Sequence, residues 1–200
     1  MKRQRAAIGV RAHSGWAAVV SVFFGSGKVE ILDRRIITLI APGTVGAKQP
    51  YHFAENLKLP EAEKFLNDCF RTSVQLALSG LKELMGELLG RNYFVAGTAI
   101  LRASGRPLPA ISNILASHAL IHAAEGEFFR DAIGKACENL DLVVTGIRER
   151  DLDERLHNEF GQATTRIQQQ VSVLGRSLGP PWTTDQKTAA LAALAVLAGH

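Results

Sequence analysis

Two short stretches of this 200-residue chain hold side chains able to do chemistry together, and a third holds a single carboxylate in a telling place. "SHALIHAAEGE" sets His118 and His122 four apart, with Glu125 three further on. On a helix all three share one face, and two imidazoles at that spacing can chelate a first-row metal. Zinc peptidases use the same histidine spacing with a Glu directly after the first His, where this chain has Ala119. The competing reading packs one His, solvates the other, and leaves Glu125 and Glu127 on a polar face. "IGVRAHSGWAAV", residues 8–19, reads as a strand, a Gly-containing turn and a second strand. Many metal- and phosphate-binding proteins carry an Asp at the end of such a first strand. Here Arg11 stands in that place, followed by His13 and Ser14.

The elements that must position these groups follow from pattern. "AAIGV", "GWAAVVSVFF" and "KVEILDRRIITL" are β-rich runs, and "GSG" at Gly25–Gly27 joins the last two as a hairpin. A Gly- and Pro-rich loop covers 41–58, and a long helix begins near Pro60. Its apolar positions Leu66, Phe70, Val74, Ala77, Leu81, Leu84 and Leu88 step by three and four, and Gly90 ends it. "YFVAGTAIL" is a strand covered on both faces, and "RASGRPLP" is a loop. Residues 111–140 form a second helical segment, and "DLVVTGI" a short buried strand parallel to the previous one. "ATTRIQQQVSVLGRSLG" is helical, "PPW" breaks the chain, and "TTDQKTAALAALAVLA" is a last helix with Thr183 and Gln186 at capping-box spacing. The fold class is therefore α/β. A three-layer α/β/α mixed five-stranded sheet is expected, three antiparallel strands then two parallel.

Composition narrows the function classes. With 46% hydrophobic and 21% charged residues, the chain reads as one globular domain over 1–200, with a basic N-terminal tail at 1–5. No apolar run reaches bilayer length, and Arg11 and His13 interrupt what a signal peptide would need. Two isolated thiols, Cys69 and Cys137, offer neither a disulfide framework nor metal spacing, so a cytoplasmic protein with no membrane partner is expected. The net charge of +4 is uneven: 13 Lys and Arg stand against 8 Asp and Glu in residues 1–100, and 10 against 11 in residues 101–200. That bias permits contact with a polyanion. Asp33, Arg34 and Arg35 read as a charged strand face, with a nucleic-acid contact as the lesser reading, and Trp182 as an anchor for the last helix. Tyr51, His52 and Glu55 read as a surface loop running into a helix, with cleft lining as the lesser reading.

The strand order and the opening motif together resemble the ribonuclease H-like superfamily, and within it the RuvC-type Holliday-junction resolvases. The family's opening reads roughly Gly-(Ile/Val)-Asp-Pro-Gly-Ser-x-x-x-Gly-(Trp/Tyr). This chain has Gly9-Val10-Arg11-Ala12-His13-Ser14-Gly15-Trp16, shorter in the turn and alike at both ends. "DQKTAALAALAVLA" is similar to the family's last Ala-rich helix, with Asp185 at a matching carboxylate. The resemblance implies two magnesium ions held by carboxylates of the first strand, the middle strand and the last helix. Here the first is Arg11, the stretch Tyr93–Leu101 has no carboxylate, and only Asp185 remains.

One carboxylate beside a fixed cation does not build two octahedral oxygen sites, so ordinary two-metal nuclease activity is not expected. Arg11 could instead fork onto a phosphate, with His13, Ser14 and the turn amides as the ligand-binding set, or pair with Asp185 as a structural ion pair. The expected function is thus a ribonuclease H-like protein, inactive as a two-metal nuclease. It binds nucleic acid, a phosphorylated small molecule or a protein partner. A separate reading is an assembly module whose apolar helices pair with a second copy into a homodimer, as the resemblance to resolvases implies. The alternative is a hydrolase or nuclease with a rebuilt site: His122, Glu125 and Asp185 catalytic, and a single divalent metal on His118 and His122. No other cofactor is expected.

Overall fold

The computed structural model describes residues 3–103 and 107–198. Three strands open the chain, β1 (Gln4–His13), β2 (Trp16–Gly25) and β3 (Lys28–Thr38), followed by α1 (Pro50–Ala54) and the long α2 (Leu59–Gly90). Then come β4 (Tyr93–Arg102), α3 (Ile111–Leu115), α4 (His118–Glu138) and β5 (Val144–Arg148). The chain closes with α5 (Leu152–Phe160), α6 (Thr164–Val173), α7 (Gly175–Leu178) and α8 (Thr184–Leu197). The five strands make one sheet in the order β3-β2-β1-β4-β5. β1 is antiparallel to β2, and β2 to β3; β1 is parallel to β4, and β4 to β5. This is the mixed sheet that the pattern predicts, with β1 at its centre.

Alternation along β1 assigns the layers. Ala6, Ile8, Val10 and Ala12 join one core cluster with the buried stripe of α2 and the inner face of α4. Ala7 joins the other cluster, with α5, α6 and α8. Both faces of the sheet are thereby covered, which is why β1 and β4 read as nearly continuous apolar runs. α8 meets the sheet through alanines: Ala189, Ala190, Ala192 and Ala193 are fully buried. Without bulky side chains the helix comes down close to β1. A Cβ on Gly9 would overlap the carbonyl oxygen of Ala189 and lie 3.0 Å from the Ala193 amide nitrogen. The capping box starts α8 as expected, Thr183 N donating to Gln186 Oε1 at 2.9 Å.

Several local expectations are corrected. Gln4 and Arg5, read as part of a basic tail, open β1 instead, because Gln4 N donates to Asn92 O at 2.9 Å and the pair with β4 begins there. Met1 and Lys2 of that tail lie outside the described residues. The loop at 41–58 contains α1. Its first amides have no local cap; a carboxylate from α4 serves them, as detailed below. The helical segment 111–140 breaks at Ala116–Ser117 into α3 and α4. Residues 104–106 of the expected loop "RASGRPLP" lie outside the described residues. The Asp33–Arg35 face is not open: Arg35 pairs with Asp33 at 2.7 Å and Glu87 at 2.5 Å. Arg34 donates to the carbonyls of Leu178 (2.7 Å), Gly179 (2.9 Å) and Pro181. Trp182 anchors the lead into α8 as expected, its Nε1 donating to Val171 O at 2.8 Å. Among the described residues no helix is long and apolar enough to cross a membrane.

The Gly9 contact makes a sharp prediction. Gly9→Ala destabilises the fold by roughly 3 kcal/mol or more, because backbone rather than a flexible side chain blocks the new methyl. Gly86→Ala, on an open face of α2 with nothing within 4 Å, stabilises by about 0.5–1 kcal/mol. Urea denaturation of the two variants measures both.

Candidate functional site

The parallel strands β1, β4 and β5 end on the same edge of the sheet, the edge at which α/β folds commonly place their sites. His13 ends β1, Arg102 ends β4, and Glu149 follows β5 directly. Asp185 lies in the first turn of α8, one turn before Ala189, and so reaches the same edge.

Arg11 sits between the two carboxylates. Its Nε donates to Glu149 Oε1 at 2.5 Å and its Nη1 to Asp185 Oδ1 at 2.6 Å. Burial works against the charge, but Glu149 and Asp185 outweigh it, and the guanidinium is held above its ordinary basicity. His13 Nε2 lies 3.0 Å from the same Asp185 oxygen, and its ring stacks on Trp16 with centroids 4.4 Å apart. Of the two roles open to Arg11 in the sequence, the structure shows the ion pair with Asp185, widened by Glu149. Arg102 takes no part: it pairs with Glu127 at 3.2 Å and with Asp131. Two magnesium ions do not fit this donor set. Two carboxylates are present, a guanidinium occupies the space between them, and β4 supplies only a second cation.

On the other side of His13 opens a polar cleft of about 300 Å³ between the β1–β2 turn, α1 and α4. His13, Ser14, His52, His122, Glu125 and Arg130 are on its walls. His13 therefore joins two clusters, since it faces Asp185 and lines the cleft. Among the residues expected at the site, the structure brings together His13, Ser14, His122 and Glu125 in the cleft. Arg11 and Asp185 meet each other outside its lining, and Asp185 is connected to it through His13.

Glu125 holds the α1 side of the cleft in place. Its Oε1 accepts from Tyr51 N (2.7 Å) and His52 N (3.0 Å), the free amides at the start of α1, and lies 3.2 Å from His52 Nδ1. Its Oε2 is buried with no partner. Burial pushes the Glu125 carboxyl above the usual range, opposed by those contacts from His52 and Tyr51. His52, His118 and His122 form a cluster in which the nitrogens offered for ligation all lie within 4.8 Å of one another. His118 Nε2 and His122 Nε2 are 3.0 Å apart. Arg130 donates its Nε to Leu101 O at 2.8 Å, and among the described residues it makes no ion pair within 4 Å. Burial lowers its basicity against the opposing negative charges of Glu127 and Glu149, and the positive charges of Arg102 and Arg11 add to the lowering.

Four of these residues escape a reading of sequence alone. Glu149 looks like one acid in a charged run, and only the adjacency of β5, β4 and β1 brings it to Arg11. His52 looks like a loop residue, because the carboxylate that makes its segment helical is far along the chain. Arg130, and Gln49 which also lines the cleft, have no motif. A third histidine near a Pro-led turn was the one available signal.

The Glu125 environment fixes a pH dependence. A carboxyl whose folded pKa is raised binds its proton more tightly in the folded chain than in the unfolded one. Its favourable contribution is complete below about pH 4.5 and is lost as pH rises through the folded value. Glu125→Gln keeps an acceptor for the two α1 amides and removes the charge. The variant should gain stability relative to wild type between about pH 4.5 and 7, by urea denaturation at both ends.

The sequence matches no known family profile and no curated protein. Among solved structures, Thermus thermophilus RuvC in complex with a Holliday junction substrate is similar over 96% of this chain and 92% of that one, at 12% identity and a TM-score of 0.52. A further Thermus thermophilus RuvC structure is similar over 95% and 91%, at 13% identity and a TM-score of 0.49. The first of these likenesses, together with the β3-β2-β1-β4-β5 sheet and its two covered faces, shows the architecture: the chain has a ribonuclease H-like fold of the RuvC type.

Proposed function

We propose that this chain is a nucleic-acid-binding ribonuclease H-like module that does not use two-metal nuclease chemistry. The observation that carries the reading is the Arg11 guanidinium bonded at once to Glu149 and Asp185, which puts a permanent cation where a metal pair would need oxygen ligands. Restoring that chemistry would require breaking the part-buried Arg11–Asp185 pair and the more exposed Arg11–Glu149 pair.

Phosphate recognition in this reading moves from Arg11 to the neighbouring cleft. Arg130 is a part-buried guanidinium that makes no ion pair within 4 Å among the described residues, Glu127 and Glu149 acting on it only from further off, and Ser14 and His13 add donors from the β1–β2 turn. A guanidinium not engaged in a direct ion pair can take an incoming anion, and its planar fork suits a phosphate. The positive bias of the first hundred residues adds long-range attraction. The similar RuvC structure holds a Holliday junction substrate, which supports nucleic acid over a small phosphorylated molecule as the ligand. Self-association into a homodimer and a reducing cytoplasmic setting belong to the same proposal. Two buried free thiols support the latter, and burial pushes the Cys137 thiol up to about 12.

The test is anisotropy of labelled four-way junction, duplex and single-stranded DNA against the full chain. Three phosphate contacts would weaken binding roughly 40-fold between 50 and 200 mM salt, and Arg130→Ala would reduce the logarithmic salt slope by about one. No strand cleavage is expected with magnesium or manganese. Cleavage by the wild-type chain that Asp185→Asn abolishes would overturn the proposal. Arg11→Asp provides the reverse experiment: with a third carboxylate in place, millimolar manganese should raise its Tm while leaving the wild type unmoved. Sedimentation velocity decides the dimer.

A further inference from the structure

We infer that His52, His118 and His122 form a binding site for one zinc-class divalent ion, with Glu125 as the carboxylate that orients His52 from behind. The inference does not depend on the nucleic-acid reading, since it uses none of the Arg11, Glu149 and Asp185 network.

Geometry carries it first. Tetrahedral coordination with metal–nitrogen bonds near 2.05 Å separates two ligating nitrogens by about 3.3 Å. His118 and His122, one turn apart on α4, already bring their Nε2 atoms to 3.0 Å. The rings meet edge to face rather than stacked, inclined at 79° for His118 and His122 and 67° for His52 and His122. His52 arrives from a different element, α1, and completes a set whose nitrogens fall within 4.8 Å.

The surroundings of His52 match what ligand histidines usually have. Its Nδ1 lies 3.2 Å from Glu125 Oε1, which leaves Nε2 as the nitrogen available to an ion. A carboxylate on the far nitrogen fixes the ring's orientation and tautomer and raises its donor strength. Glu125 gains in return. Its side chain is only 9% exposed, its Oε2 is without a partner, and no guanidinium or ammonium pairs with it among the described residues. A divalent cation just beyond His52 would supply the missing counter-charge. Three neutral imidazoles select zinc, copper, cobalt or nickel over magnesium or calcium, which prefer oxygen. Three protein ligands leave a fourth position free. His52 and His122 line the cleft that also contains Arg130, so an anion held by Arg130 would have the ion as a neighbour.

The competing arrangement is a proton shared between His118 and His122, with no ion. The experiment that separates the two uses the full chain without a polyhistidine tag, stripped with chelator and titrated with Co²⁺ and then Zn²⁺. The expected result is one equivalent of Co²⁺ with visible ligand-field absorption, displaced by one equivalent of Zn²⁺. His52→Ala, His118→Ala and His122→Ala should each weaken binding by about 100-fold or more, and Glu125→Gln by about 10- to 100-fold. His157→Ala, on the exposed face of α5, should change nothing. His118 is exposed at the start of α4, so its removal leaves the fold intact and keeps the test decisive. Co²⁺ uptake without ligand-field bands, or a His118→Ala or His52→Ala variant that binds as well as wild type, would overturn the inference.

Discussion

The approach of α8 to β1 governs the rest of the molecule. A helix faced with alanine and a strand carrying Gly9 can meet almost backbone to backbone, with no side chain keeping them apart. That closeness sets the height of the first turn of α8 over the sheet edge. Asp185, one turn before Ala189, is thus delivered to Arg11, two residues beyond Gly9 on the same side of β1. Other contacts fix the direction from which α8 arrives. Arg34 holds the carbonyls of residues 178, 179 and 181, Trp182 bonds to α6, and the Thr183–Gln186 box starts the helix. The charged residue on β3 that resembles a polyanion contact is in fact a clamp on the chain leading to the site.

Electrostatics then divides the sheet edge into two regions. Around Arg11 every charge is answered: one guanidinium meets two carboxylates, and Asp185 also meets His13 and the positive end of α8. Groups so well paired resist being opened by a ligand. In the adjoining cleft the pairing is looser. Glu125 has hydrogen bonds but an idle oxygen, and Arg130 bonds one carbonyl, with Glu127 and Glu149 acting on it without a direct ion pair among the described residues. The ion pairs thus gather around Arg11, while a carboxylate, a guanidinium and three imidazoles line the cleft beside it. The resemblance in sequence pointed to the first region, and the side chains point to the second.

How much of this was legible depends on the range of the interactions involved. The hairpin at Gly25–Lys28, the buried stripe of α2, the capping box of α8 and the apolar strand β4 are decided by neighbours within a few residues, and pattern finds them. α1 is helical because Glu125, more than seventy positions later, serves its first amides, and no local rule contains that fact. The pair His118 and His122 is visible as an i, i+4 spacing, whereas His52 is not, because the helix that carries it is itself the product of that distant contact. Glu149 was hidden for a related reason. Its partner is reached across β4 and β1, through a strand order that must be known before the contact can be.

The sequence by itself determined the order of elements, the absence of a carboxylate from Tyr93–Leu101 and the presence of Arg11 near the end of the first strand. These are matters of residue type and period, complete before any folding is considered. Only the tertiary structure decided what Arg11 does, because a guanidinium can serve a phosphate or a carboxylate and the choice falls to whichever group the fold brings within 3 Å. It likewise decided that three histidines meet. Side chains from separate elements converge only when packing fixes the distance between those elements, and that distance is a property of the folded core.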